Sequence, residues 1–141
     1  MEIAELLKQL LIDLQSVFRK NNKDLPLSLS QVMVISSIPM EGINMTSLSQ
    51  RLGVDNSTLT RLIDILEENG LVQKKRNTND RRSRLIYLSN IGEENVKLIE
   101  LNTDRFVDEI LKNTPSADRT IIKDSLNILH WAVIRYKLSD K

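Results

Sequence analysis

The run from Thr46 to Leu88 constrains the fold most, because two helical patterns meet at Gly53 and an alternating stretch follows them. Leu48 and Leu52 form the first pattern, with Thr46 as the expected N-cap. The second opens at Asp55 and places Leu59, Leu62, Ile63 and Leu66 at the spacing of one buried helical face. The Asp55 carboxylate suits an N-cap, since it accepts from orphan N–H groups and favours the positive end of the helix dipole. Gly53 allows a left-handed backbone that stops the first helix and lets the second leave steeply. Asn69-Gly70 then ends the second helix, and Leu71–Arg76, a polar turn over Asn77–Asp80 and Arg81–Leu88 read as a hairpin. Helix, glycine turn, helix and hairpin together make a winged helix.

With the leucines inward, the N-terminal half of the second helix presents Asn56, Ser57, Thr58, Thr60 and Arg61 outward, and Asp64 follows one turn on. Short hydroxyl and amide groups with one arginine suit base edges and phosphates. The same face also reads as an ordinary solvated surface, with Ser and Thr serving as caps. The hairpin adds Lys74, Lys75, Arg76, Arg81, Arg82 and Arg84 against a single acid, Asp80. A basic wing can reach a minor groove, where concentrated negative potential attracts arginine. Net charge is only +1, but its distribution is uneven. Residues 1–45 carry four basic and five acidic groups, residues 46–92 eight and five, and residues 93–141 eight and nine. Positive charge therefore gathers on the winged helix, where a nucleic-acid contact needs it.

The run SLSQRLGVDNSTLTRLIDILEENGLV, followed by DRRSRLIYLS and Gly92, resembles the MarR family of bacterial transcriptional regulators. That family's wing signature, Asp-x-Arg, three residues, Val, any residue, Leu-Thr, is matched by Asp80, Arg82, Ile86 and Leu88, with Ser89 in place of Thr. The resemblance implies a homodimer on a roughly palindromic double-stranded DNA operator, often released by a small-molecule effector. It also implies that Asp80 pairs with a nearby arginine to shape the wing, and that Arg82 enters the minor groove.

The flanking segments read as helices. Residues 2–20 carry Ile3, Leu7, Leu10, Leu14 and Val17 in steps of four and three, widened by Leu6, Leu11 and Phe18. Such a helix is either buried on two sides of one domain or clamped against a partner subunit, and the second reading is preferred. Ser28 to Gln31 forms a capping box before a helix that reaches Ile38, with Val32, Met33 and Ile35 buried. Ile43–Met45 is a candidate strand pairing with the wing. From Ile91 a long helix of five or six turns is expected, broken at Asn113-Thr114-Pro115. Thr114 or Ser116 would cap the last helix, whose stripe is Ile122, Leu126, Leu129, Val133 and Tyr136. Heptad-like stripes at both ends of the chain point to a helical dimer interface built on Ile3, Leu7, Leu10, Leu14, Ile122, Leu126, Leu129 and Val133. These stripes could also close a monomeric core.

The fold expected is therefore mostly α with a small β-wing: a winged helix-turn-helix flanked by long dimerisation helices. One domain spans 1–141, with the DNA-binding part at 27–89 and the dimerisation part at 1–22 and 90–138. Hydrophobic residues make up 40% and aromatics 4%, so packing rests on Leu, Ile and Val. The absence of cysteine excludes disulfides, zinc fingers and thiol redox sensing. No run has the length or apolarity of a membrane span and no signal-peptide pattern opens the chain, so a cytoplasmic protein is expected. His130 is the only histidine and has no partner ligands at metal spacing. Glu67-Glu68 and Glu93-Glu94 read as solvated faces. No nucleophile with its base, phosphate-cradling loop, cofactor or metal site is visible, so no enzyme is expected. A winged-helix module for protein–protein assembly is the alternative function. By resemblance an effector pocket would lie between the winged helix and the dimer helices, with Phe18, Met33 and Trp131 as candidates equally readable as core.

Overall fold

Among the residues described by the computed structural model, 1–79 and 84–139, the elements follow the expected order. They are α1 (Ile3–Asn21), α2 (Leu29–Ser36), β1 (Ile43–Asn44), α3 (Met45–Leu52), α4 (Asn56–Glu68), β2 (Val72–Arg76), β3 (Arg84–Leu88), α5 (Asn90–Leu111) and α6 (Ser116–Ser139). The chain divides into two compact units, Met1–Asp104 and Arg105–Lys141.

Local chemistry sets the helix limits in the first unit. The Ser28 hydroxyl accepts from Gln31 N at 3.2 Å while Ser28 N donates to Gln31 Oε1 at 2.9 Å, which is the expected capping box. α2 then ends at Ser36, two residues short of Ile38. Asn44, not Thr46, caps α3: its Oδ1 accepts from Ser47 N at 2.8 Å. The helix starts where the two-residue strand β1 stops, so Asn44 closes one element and opens the next, and Met45 is helical. Gly53 takes φ 69° and ends α3. Asp55 caps α4, accepting from Thr58 N at 2.6 Å. At the other end of α4, Leu71 N donates to Leu66 O at 2.9 Å and Gly70 N to Glu67 O at 3.0 Å, with Gly70 at φ 78°. That is the paired bonding of a Schellman stop, and it turns the chain into β2.

The sheet is antiparallel in the order β1-β3-β2. Ile43 pairs with Ile86, and Lys74 also pairs with Ile86, so these three share one face with Val72 and Leu88. That face covers the core of Val32, Val34, Ile35, Ile38, Leu48, Leu59, Ile63, Leu66, Leu71, Val72, Ile86 and Ile99. Met33 is not in it. It is 37% exposed, and Val34 is buried instead, because α2 is apolar around most of its circumference and periodicity alone cannot orient it. Leu62 packs against the core from a half-buried position.

Ser89, the residue standing where the family signature has Thr, locks the start of α5. Its hydroxyl donates to Gly70 O at 2.5 Å and accepts from Gly92 N at 3.0 Å, while Ser89 N donates to Leu71 O at 3.0 Å. Farther along, Asn102 Nδ2 donates to Oδ1 of the buried Asn22 at 3.1 Å, tying α5 to the end of α1. In the second unit, the Arg119 side chain donates to Thr114 O at 3.1 Å and to Leu111 O. It bridges the end of α5 and the start of α6, where Ser116 is already helical.

Candidate nucleic-acid interface

The second helix of the motif, α4, exposes the polar half that its apolar spacing requires. Leu59, Ile63 and Leu66 are buried, whereas Asn56, Ser57, Thr60, Arg61 and Asp64 are exposed and Thr58 is half-buried. Several of these groups are already bonded within the helix. Ser57 Oγ donates to Asp55 Oδ1 at 2.8 Å, and Thr60 Oγ1 donates to Asn56 O at 2.7 Å. Both hydroxyls therefore offer lone pairs outward, while Arg61 offers donors. The backbone N–H of Thr58, then the Thr58 and Ser57 hydroxyls, hold the Asp55 carboxyl below the ordinary aspartate range, so the cap stays ionised.

The basic residues of β2 separate by strand alternation. Lys74 lies on the α4 side, with Nζ 2.7 Å from Asp64 Oδ1 and 3.7 Å from Glu67 Oε1. The hydrogen bond that Lys74 donates to Asp64 raises its pKa, with burial opposing and the charges of Asp64 and Glu67 assisting. Asp64 and Glu67 lie on the polar side of α4, and the strand register brings Lys74 to both. Lys75 points to the other face, its Nζ 5.1 Å from the centre of the Tyr87 ring. Gly42, at φ 82°, lies against the same ring, where an added Cβ would come within 2.7 Å. Arg76 returns to the face of Lys74 and sits directly opposite Arg84. Both are exposed, and neither forms an ion pair with another described residue. Asp80, Arg81 and Arg82 lie outside the described residues.

Phe18 and Met33 line one groove of about 410 Å³ in the first unit, together with Val32, Val96, Ile99 and Thr103. Trp131 belongs to the second unit, is 61% exposed and stands 6.5 Å from the His130 ring, centre to centre. No cluster of three or more His, Cys, Asp or Glu among the described residues is placed to hold a metal ion. No described helix is long and apolar enough to cross a membrane. α1 and α6 bury none of their residues: Ile3, Leu7, Leu10 and Leu14 on α1 are 73%, 39%, 41% and 37% exposed, and Ile122, Leu126 and Val133 on α6 are 37%, 53% and 46% exposed. Leu129 is half-buried.

Comparison with known proteins agrees with this geometry. Residues 27–83 match the MarR family model. The chain is 29% identical over 84 residues to the uncharacterized HTH-type transcriptional regulator YdgJ of Bacillus subtilis (strain 168), covering 60% of this chain and 51% of YdgJ. It is 40% identical over 67 residues to the HTH-type transcriptional regulator SarZ of Staphylococcus haemolyticus (strain JCSC1435), covering 47% of this chain and 46% of SarZ. The chain thus spans about half the length of the curated relatives it matches. The structure of a MarR family protein from Bacillus stearothermophilus superposes with a TM-score of 0.85 at 22% identity, covering 94% of this chain and 93% of that one. The likeness to the MarR family is thus carried by the winged helix, residues 27–83, which is less than half of the chain.

Proposed function

We propose that this protein is a homodimeric transcriptional regulator that binds a roughly palindromic duplex operator, represses from it, and is released by a small-molecule effector. α4 enters the major groove with Asn56, Ser57, Thr58, Thr60 and Arg61, and the wing lies along the neighbouring backbone and minor groove. The observation that carries this reading is the placement of Arg76 opposite Arg84. Like charges directly across a strand pair destabilise a hairpin, and a phosphate backbone alongside them reverses that repulsion. The names of the curated relatives, both HTH-type transcriptional regulators, support the same reading.

Dimerisation is supported by the two uncovered apolar faces. α1, at 19 residues, and α6, at 24, have no buried residue in a single copy, and a surface of that kind calls for a partner. The flanking segments 1–22 and 90–138 are the proposed dimerisation part. The groove beside Phe18 and Met33 supports an effector site, being mostly apolar with Thr103, Glu100 and Asp104 also in its lining.

A gel shift against the region upstream of its own gene, run across a salt series, tests the proposal. Specific retardation whose strength falls steeply with salt is expected, because bound phosphates release counterions. Arg61→Ala should cost about 1–3 kcal/mol on the operator if Arg61 reads a base. No specific retardation at any salt would overturn the regulator reading and leave the assembly module.

A further inference from the structure

We propose that Lys74 is a positioning residue: its ion pair with Asp64 and Glu67 fixes the wing against α4 so that both engage one operator together. The inference rests on the regulator reading above and differs from the phosphate contact that its charge alone suggests. Nζ of Lys74 is 2.7 Å from Asp64 and 3.7 Å from Glu67, with the side chain only 21% exposed. A lysine engaged by two carboxylates and mostly covered has little charge left for a backbone outside the protein.

The position of the pair gives it leverage. Asp64 lies four residues after Thr60 and three after Arg61, so it continues the outward stripe of α4 by one turn. Lys74 lies two residues before Arg76, on the same face of the sheet. One ion pair thus joins the end of the base-facing stripe to the strand that carries Arg76, which faces Arg84 across the hairpin. β2 is an edge strand paired on one side only, with β3, and the ion pair to α4 restrains the stretch beyond its buried Val72. Binding at one specific register needs helix and wing in place simultaneously. Non-specific binding tolerates either alone.

The ratio of operator affinity to random-sequence affinity isolates this role, because loss of a simple charge moves both affinities together. Three variants are compared: Lys74→Met, the double Asp64→Asn/Glu67→Gln, and the swap Asp64→Lys/Lys74→Glu made together with Glu67→Gln, so that no like charge faces the new carboxylate. The ratio should fall about fivefold in the first two, the low end of couplings between sites. It should recover in the swap. The double variant is decisive, since removing two acids near DNA raises overall affinity if only charge matters, yet lowers the ratio if the brace matters. An unchanged ratio in Lys74→Met and in the double variant, with a salt slope lowered by about one in Lys74→Met, overturns the proposal and makes Lys74 a phosphate contact. A swap that leaves the ratio low also overturns it. Wild-type protein with no preference for any fragment sinks the regulator reading instead. The brace is then judged by amide exchange along Val72–Arg76, where faster exchange in Lys74→Met supports it and unchanged exchange overturns it.

Discussion

Gly92→Ala should destabilise the fold, although exchanging glycine for alanine within a helix normally does the opposite. Gly92 sits in the first turn of α5, and its backbone dihedral is not of the kind that requires glycine. Its constraint is space: a Cβ there would lie 2.1 Å from the carbonyl oxygen of Leu71 and 3.3 Å from Cδ2 of Leu88. Ordinary contact begins at 3.4 Å, so either α5 or the Leu71 peptide has to retreat by more than an ångström. That carbonyl accepts from Ser89 N at 3.0 Å, and Gly92 N donates to the Ser89 hydroxyl at 3.0 Å, so retreat stretches the bonds that start the helix. Overpacking costs about 1–3 kcal/mol and a stretched buried hydrogen bond about 1 kcal/mol more. Helix propensity returns about 1 kcal/mol. The balance is a loss of about 2 kcal/mol. With an unfolding entropy of about 2.1 cal/mol/K per residue, a chain of 141 residues melting as one unit should lose about 7 °C. Circular dichroism melts at matched protomer concentration would read this directly. A melting temperature that is unchanged or higher would refute the close-approach reasoning, because that is what propensity alone yields.

Ile63→Ala, at a fully buried position of α4, should cost about 2–5 kcal/mol in a urea titration; a loss below 1 kcal/mol would show that α4 is not seated on the core. Asp55→Ala should lower the melting temperature at neutral pH, because the carboxylate holds Thr58 N and the Ser57 hydroxyl. The folded carboxyl has its pKa depressed, so its contribution is full above the ordinary aspartate value and disappears as pH falls through the folded value; the gap from wild type should close there, and a gap independent of pH would contradict the cap. Polar substitution of Leu126 and Leu129 together should yield monomer or unfolded chain in sedimentation, whereas wild-type protein that stays monomeric at high concentration would count against the dimer.

The winged helix was legible because each of its boundaries is a local chemical event. Ser28 with Gln31, Gly53, Asp55 and Gly70 act within four residues of themselves, and the chain carries those signals in order. Local signals mislead where two of them compete or where periodicity is saturated. Asn44 and Thr46 are both good caps, and only the end of β1 decides between them. Val32, Met33, Val34 and Ile35 are all apolar, so no moment tells which one faces away, and Met33 emerges beside the groove instead of in the core.

Site chemistry was less legible, because it depends on register between elements. The string Lys74-Lys75-Arg76 reads as one basic run, yet a strand sends neighbours to opposite faces. The antiparallel register then assigns three different surroundings: two carboxylates for Lys74, the Tyr87 ring for Lys75 and an opposing arginine for Arg76. Nothing within the run distinguishes these environments. They follow from the Schellman turn at Gly70, which sets how far β2 has advanced when it passes α4. Had β2 slipped by one residue, Lys75 would face Asp64, and Lys74 and Arg76 would face away from it. The distribution of charge on the wing is therefore written in the turn that precedes it, six residues before Arg76, and not in the count of lysines and arginines.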